Sequence, residues 1–545
     1  MPHSPTGSGT AGSGADLSGV DPGGTDPDDL AAALRVLRAI HDLDEEHPDF
    51  VAVRRATGKM FKAVKQHRRD VKRAEVQVND RAVVAATATG APDRIDDETR
   101  GLTLEASTEA ASAGTLMQSR PCYICKQPYT KVDAFYHQLC PECAAMSHAK
   151  RSARADLTGK RALLTGGRAK IGMHIALRLL RDGAHTTITT RFPRDAVRRF
   201  AAMPDASDWL HRLHVVGIDL RDPAQVVSLA DAVAAEGPLD ILINNAAQTV
   251  RRSPGAYAPL ADAESVPIED GLWAEGRGPM LLTFGHTRDV HPHALEESVA
   301  AHPLLASAAA PGADPLADAE AYAAPSPDAA SNAQTLTDMA LAPGSSSLAR
   351  LADGSAIDAG GLLPDLHHSN SWVQAVGEVD ALEMLEVQLC NETAPFILIS
   401  RLRPRLAEAA RAAGAMPSWA ADSGRPPRGR AYVVNVSAME GVFGRGYKGP
   451  GHPHTNMAKA AVNMLTRTSA REMFETDQIL MTSVDTGWIT DERPHPTKVR
   501  LAEEGFHAPL DLVDGAARVY DPIVRGEAGE DLFGVFLKDY APSGW

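Results

Sequence analysis

Between Lys160 and Thr190 the spacing of apolar residues changes period twice. Arg161–Leu164 is a short apolar run that ends in Thr165-Gly166-Gly167. Ile171, Ile175, Leu177 and Leu180 then recur at helical spacing, Gly183 closes that segment, and β-branched residues fill Thr186–Thr190. The pattern predicts strand, glycine turn, helix, strand. Two more apolar runs follow the same rhythm. Leu213–Leu220 ends near Asp219, a helix over PAQVVSLADAVAAEG comes next, and LDILINNAAQT runs into Asn244-Asn245-Ala246-Ala247. Strands alternating with helices predict an α/β fold with a doubly wound parallel sheet, whose ligands bind at the C-terminal strand ends.

The alternation stops at residues 250–372, an insertion that is largely of low complexity. Its first part, to about 295, is expected to be ordered around Trp273 and Pro279–Leu282. Residues from about 300 to 362 are rich in Ala, Pro, Ser, Gly and Asp and are expected to form a disordered loop. The pattern resumes with an amphipathic helix over Val379–Ser400, strands ending at Ser437 and Val484, a helix through HTNMAKAAVNML, a helix over Leu510–Val524, and a last strand in FGVFLKDY. Upstream, residues 1–28 read as a disordered tail. LAAALRVLRAIHDL and the stretch after Pro48 read as two helices, and residues 85–118 as a linker. The second helix carries Arg54, Arg55, Lys59, Lys62, Lys65, Arg68, Arg69, Lys72 and Arg73, read here as a solvated face.

Composition narrows the function classes. The 545 residues carry a net charge of -15, which counts against general polyanion binding, so no nucleic-acid partner is expected. No apolar run reaches the ~20 residues of a membrane span, and MPHSPTGSGTAGSG has neither the basic nor the apolar region of a secretory signal. A soluble cytoplasmic protein is expected. Four of the five cysteines form two C-x2-C pairs, Cys122/Cys125 and Cys140/Cys143, with 14 residues between them. Two such knuckles suit a closed tetrahedral site, so a structural zinc is expected. Tyr123, Tyr129, Phe135 and Tyr136 would supply a miniature core. His137 and His148 read as packing or surface residues, and Cys390 as a small buried residue.

Residues 155–247 and 372–545 together resemble the short-chain dehydrogenase/reductase family. The resemblance rests on Thr165-Gly166-Gly167-Arg168-Ala169-Lys170-Ile171-Gly172 against TGxxxGxG, and on Asn244-Asn245-Ala246-Ala247 against NNAG. It also rests on Asn391, Ser437, Lys459 and Asp485-Thr486-Gly487-Trp488-Ile489-Thr490 in family order. The resemblance implies a Rossmann domain in two parts, 155–249 and 373–545. Before it lie the tail (1–28), a helical region (29–118) and a four-cysteine zinc module (119–152).

The same resemblance implies an NAD(P)-dependent oxidoreductase that moves hydride between the nicotinamide and a small carbonyl or alcohol. Its cofactor would meet Thr165, Gly166, Gly167, Arg168, Lys170, Ile171, Gly172, Arg191, Asp219, Leu220, Asn245, Ala246, Ala247, Lys459, Gly487 and Thr490. Thr190-Arg191 at the end of the second strand, with Arg168 and Arg194 nearby and no acid until Asp195, favours NADP over NAD. Ser437 would hydrogen-bond the substrate oxygen, Asn391 would support a proton-relay water, and Lys459 would bind the nicotinamide ribose. Thr455 stands where the family has its acid/base tyrosine. A threonine hydroxyl is too weak an acid for that work, so Tyr447, then His452 or His454, are substitute candidates. Three expectations complete the reading. One is pairing of copies through the lysine-bearing helix and its neighbour. Another is a protein partner for the zinc module. The last is an alternative function, a catalytically impaired nucleotide-binding regulator acting through the zinc module or the insertion.

Overall fold

The computed structural model describes residues 25–94, 111–268, 278–284, 335–338, 340–341, 347–352, 356–414, 429–489 and 492–545. The readings made for residues 1–24, Trp273, most of 300–362 and Thr490 lie outside them. The chain forms two compact bodies, Met1–Asn79 and Asp80–Trp545.

In the first body, α1 (Pro27–Ala39) starts at Asp26, whose side chain accepts from Asp28 N, with Pro27 at the first helical position. It buries none of its side chains. α2 spans Pro48–Ala85, its last residues belonging to the second body, and its nine cations are exposed.

The second body holds a two-stranded hairpin, β1 (Ser112–Pro121) and β2 (Pro128–Asp133), then α3 (Pro141–Arg151). The alternating region follows: β3 (Arg161–Leu164), α4 (Lys170–Arg181), β4 (His185–Thr190), α5 (Pro193–Ala201), the single turn α6 (Ala206–Trp209), β5 (Leu213–Gly217), α7 (Pro223–Ala235) and β6 (Ile241–Asn244). The insertion contributes α8 (Pro254–Ser265) and β7 (Met280–Thr283). Next come α9 (Ala381–Gln388), α10 (Ala394–Gly414), β8 (Ala431–Ser437), α11 (Pro453–Asp477), β9 (Ile479–Asp485), α12 (His495–Glu503), α13 (Leu512–Glu527), β10 (Phe536–Lys538) and β11 (Ala541–Ser543).

Nine strands make one sheet in the order β11-β10-β9-β8-β6-β3-β4-β5-β7, parallel except for the β10–β11 pair. Connections run one way from β3 through β4 and β5, and the other way through β6 and β8. The order therefore reverses at β3, and a crevice opens beyond its C-terminal end. Both faces are covered. Ile175, Ala176, Leu179 and Leu180 of α4 pack with Val519, Tyr520 and Ile523 of α13 on one side. Leu229 and Val233 of α7, Leu398 and Leu402 of α10 and Met473 of α11 pack on the other. This explains why the strands read as continuous apolar runs rather than alternating ones.

Three expectations change. The insertion's ordered stretch is an extra edge strand, β7, paired with β5 through Val215 and Leu281. The helix expected as continuous over Val379–Ser400 begins at Asp380, whose carboxylate caps Leu382 N. It passes through a π turn at Leu389–Thr393 and continues to Gly414. The four-cysteine segment is not separate from what surrounds it. Its hairpin starts at Ser112, inside the region read as helix and linker, and Asp80 of α2 accepts from Met117 N at 2.7 Å.

The reason lies in size. Leu116, Val132, Tyr136 and Leu139 are too few to close a core, and they pack against Ile489, Leu510 and Leu512 of the Rossmann part and Ala359 of the insertion. Polar contacts fix the docking. Arg151 of α3, 1% exposed, donates to Asp511 at 2.5 Å and lies 3.3 Å from Asp514. Tyr136 donates to Asp514 at 2.6 Å. Arg94 donates to the carbonyls of Ala508 and Leu510. Removing one partner strands a buried charge, so Arg151→Met is expected to lower stability by about 3–5 kcal/mol in urea unfolding. A change below about 1 kcal/mol would show that the charges carry no docking role.

Candidate functional site

The turn after β3 is built by close approach. Thr165 Oγ1 accepts from Asn245 N and Ala246 N, both at 3.0 Å, and Asn245 Nδ2 donates to the carbonyls of Thr165 and Gly166 at 3.1 Å. The ends of β3 and β6 are thereby clamped together. Gly166 has φ +69, and a Cβ there would lie 2.9 Å from Ala246 Cα. A Cβ at Gly172 would lie 1.9 Å from the Gly166 carbonyl oxygen, so neither position admits a side chain. Lys170 occupies the family's middle glycine position and keeps a left-handed φ of +52, a strained conformation for lysine. Ala169 gives α4 no side-chain cap, which leaves its N-terminal N–H groups open toward the crevice.

A cavity of about 990 Å³ runs from this turn across the sheet. It collects Gly166, Arg168, Lys170, Ile171, Gly172, Arg191, Asp219, Leu220, Asn245, Ala246, Ala247, Ser437, Lys459 and Gly487, all expected from the sequence. Thr165 and Gly167 support the turn from behind. Thr490 lies outside the described residues.

At the outer end, Arg191 stacks between Phe192 and Tyr257, 5.7 and 5.3 Å from the ring centres. Arg168 is already engaged by Asp195 at 2.5 Å and the Gly360 carbonyl at 2.8 Å. Arg194 turns away to the carbonyls of Glu264 and Ser265. Asp195, the first acid after β4, is buried between Arg168 and Arg199 and does not line the cavity. Asp219 is held low by Arg221 against the upward push of its burial.

At the inner end, Ser437 is 2% exposed and its Oγ has no hydrogen-bond partner among the described residues. Lys459 donates to the Val436 carbonyl at 2.9 Å, and burial lowers it to about 8. Asp485 faces Ser437 in the β8–β9 register. Burial pushes it up to about 6, with Lys538 3.8 Å away opposing the shift.

The remaining candidates are placed elsewhere. Asn391 sits in the π turn with its amide bound at both ends to the backbone of Gln248, at 2.7 and 2.8 Å, so it braces the segment after β6. Thr455 is buried in α11, its hydroxyl has no hydrogen-bond partner among the described residues, and it does not line the cavity. Tyr447 is 77% exposed and also stays out of it. His454 is buried, and neither ring nitrogen has a hydrogen-bond partner among the described residues. His452 begins α11 and stacks on Trp372 at 4.1 Å, and Trp372 closes one wall of the cavity. The walls also include Tyr123, Lys126, Glu440 and Asp485, which the sequence reading did not assign to the site. Asp485 had a signal, a charge ending the otherwise uncharged run ILMTSV.

The sulfurs of Cys122, Cys125, Cys140 and Cys143 all lie within 4.8 Å of one another, with Cys125 and Cys140 3.7 Å apart. A tetrahedral ion with metal–sulfur bonds of about 2.3 Å requires sulfur separations of about 3.8 Å, so the cluster fits one. His137 bonds Thr89 and His148 pairs with Asp133, and neither joins the cluster.

Comparison with known proteins agrees with this geometry. The short chain dehydrogenase family profile matches residues 160–266, from β3 through α8. Over those residues the chain carries the short-chain dehydrogenase signature. An uncharacterized protein of Acanthamoeba polyphaga mimivirus is 29% identical over 425 residues, 74% of this chain and 71% of its own length. A probable oxidoreductase of Streptomyces antibioticus is 43% identical over 94 residues. That match takes in 17% of this chain and 30% of the relative, so the chain spans less than a third of that relative's length. Among solved structures, the carbonyl reductase Sniffer of D. melanogaster is 15% identical, with a TM-score of 0.39, over 71% of this chain and 100% of its own.

Asp485 gives the pocket a measurable pH signature. Its folded pKa, about 6, lies above the unfolded value near 4. Between those values the unfolded chain has lost a proton that the native state keeps, so stability falls as pH rises through the window. Asp485→Asn is expected to flatten that part of the urea-stability profile and to gain on the order of 2 kcal/mol by pH 7. Parallel profiles for the two proteins would contradict the assignment.

Proposed function

We propose that the protein is an NADP-preferring oxidoreductase acting on a small carbonyl or alcohol. The observation that carries the reading is the single cavity joining an uncapped helix N-terminus, the Arg191 cation and the unpartnered Ser437 hydroxyl. A dinucleotide fits the residues present. The open N–H groups of α4 suit its pyrophosphate, and Arg191 suits a 2′-phosphate. When bound, NADP(H) supplies or accepts the hydride. Ser437 donates its free hydroxyl to the substrate oxygen. Lys459 keeps its proton at neutral pH and releases it near pH 8, so it is suited to pass a proton toward that oxygen. Asn391 fixes the Gln248 segment of the wall rather than presenting its amide to the pocket.

A second reading, a nucleotide-binding regulator without turnover, is favoured by one observation. The position that carries the family tyrosine is Thr455, which is buried and does not line the cavity. The four cysteines would hold a structural zinc in either case. The outer faces of α10 and α11 expose Phe396, Met457 and Met464, which supports pairing of two copies through these helices. Among the described residues, no helix is long and apolar enough to cross a membrane.

Titration with NADPH and NADH, read by nicotinamide fluorescence, tests the reading. NADPH is expected to bind more tightly, and Arg191→Asp to weaken NADPH at least ~10-fold while changing NADH little, since a charge-assisted contact contributes about 1.5–3 kcal/mol. Ser437→Ala is expected to keep NADPH affinity and lose carbonyl reduction. Absence of binding by either nucleotide would overturn both readings, and tight binding with no turnover across a carbonyl panel would select the regulator.

A further inference from the structure

The metal knuckle reaches into the nucleotide cavity. Tyr123 follows Cys122 and Lys126 follows Cys125, and both side chains line the same space as Gly172 and Trp488. Their backbone is set by the knuckle. Lys126 N donates to the Cys122 carbonyl at 3.1 Å, Cys122 N donates to Gln127 at 2.9 Å, and Lys126 is held at φ +63. A lysine keeps that left-handed conformation only where its surroundings enforce it. Here the enforcing element is the Cys122–Gln127 turn, which carries two of the four clustered sulfurs.

Two contacts tie the knuckle to the crevice. Tyr123 Oη accepts from Trp488 N at 2.9 Å, directly beyond Gly487 at the end of the cavity where Ser437 lies. Ile124 packs into the same apolar cluster as Ile171 in the first turn of α4. Lys126 lines the cavity together with Ile171 and Gly172 of α4 and with Trp488. Its ammonium donates to the Tyr123 carbonyl and lies 5.1 Å from that ring's centre. Of the neighbouring cations at the turn, Arg168 is committed to Asp195, and Lys170 is 3.3 Å from Asp358.

Resting on the nucleotide-binding reading above, we propose that the four-cysteine knuckle forms one wall of the dinucleotide site and that Lys126 binds an oxygen of the pyrophosphate. Tyr123 holds the Trp488 segment against the cofactor. Because the knuckle takes its shape from its metal, metal and nucleotide binding reinforce one another. By linkage the coupling is reciprocal: the ion raises affinity for NADPH, and NADPH retains the ion.

The experiment uses zinc-loaded full-length protein. Lys126→Ala is expected to raise the NADPH Kd about 10-fold, the loss of one charge-assisted contact. It should leave zinc content, melting temperature without nucleotide and the Kd for 2′-AMP, which lacks the pyrophosphate, within two-fold. In a second measurement a chromogenic chelator strips zinc. Saturating NADPH is expected to slow zinc release several-fold in the wild-type protein and much less in Lys126→Ala. An NADPH Kd unchanged by the substitution, or zinc release indifferent to NADPH, overturns this proposal while leaving the nucleotide site standing. Failure of the wild-type protein to bind NADPH overturns the nucleotide-binding reading itself, and this proposal with it.

Discussion

A guanidinium buried between two carboxylates fixes the geometry of everything above the sheet. Arg151 of α3 meets Asp511 and Asp514 at the start of α13, the helix that also packs on α4. Three charges out of water tolerate little displacement, because each ångström of separation exposes an unpaired ion to a low-dielectric interior. The network is therefore better understood as a positional constraint than as a source of stability. It holds the four-cysteine hairpin over the C-terminal strand ends, where its aromatic core joins Ile489 and Leu510 and its knuckle meets the crevice.

The crevice beneath is organised by which charges are already neutralised. Arg168 shares Asp195 with Arg199, and Arg221 is shared between Asp219 and Glu386, so each of these side chains is already engaged by a neighbouring charge. Arg191 is stacked on rings that cannot neutralise it. Positive character is thus left at the outer end, Lys126 and the α4 N-terminus add to it near the turn, and Lys459 adds to it beside Ser437. An extended anion with a phosphate near Arg191 matches that distribution. Carboxyls oppose it at the inner end: Glu440 lines the wall, and Asp485 sits beside the same serine, where burial raises its pKa to about 6 so that it ionises only as the pH approaches neutrality.

Much of this was legible because it is local. The βαβ unit, Thr165 to Gly172, Asn245, Ser437 and Lys459 are placed by strand ends and helix starts, and those follow from hydrophobic period and glycine spacing. Residues whose roles depend on docking between distant segments were not legible. Tyr123 and Lys126 look like knuckle residues until α3 is seated on α13, and Trp372 meets His452 only after the insertion has returned to the site. The edge strand β7 is short and irregular in sequence, and pairing with β5 defines it. Tyr447 shows the converse error. Proximity in sequence to Thr455 made it a candidate, yet its loop carries it into solvent. Asn391 was found at the expected helix position, but its amide is spent on Gln248.

Hydrogen exchange followed by mass spectrometry, with and without saturating NADPH, tests the central claim most directly, because it reports on backbone amides throughout the proposed site. The account predicts slowed exchange in three separated segments at once: the turn around Gly166–Gly172, the stretch after β6 through Gln248, and the knuckle from Cys122 to Gln127. The basic face of α2 should be unaffected. Unchanged exchange at the glycine turn in the presence of NADPH would contradict the account.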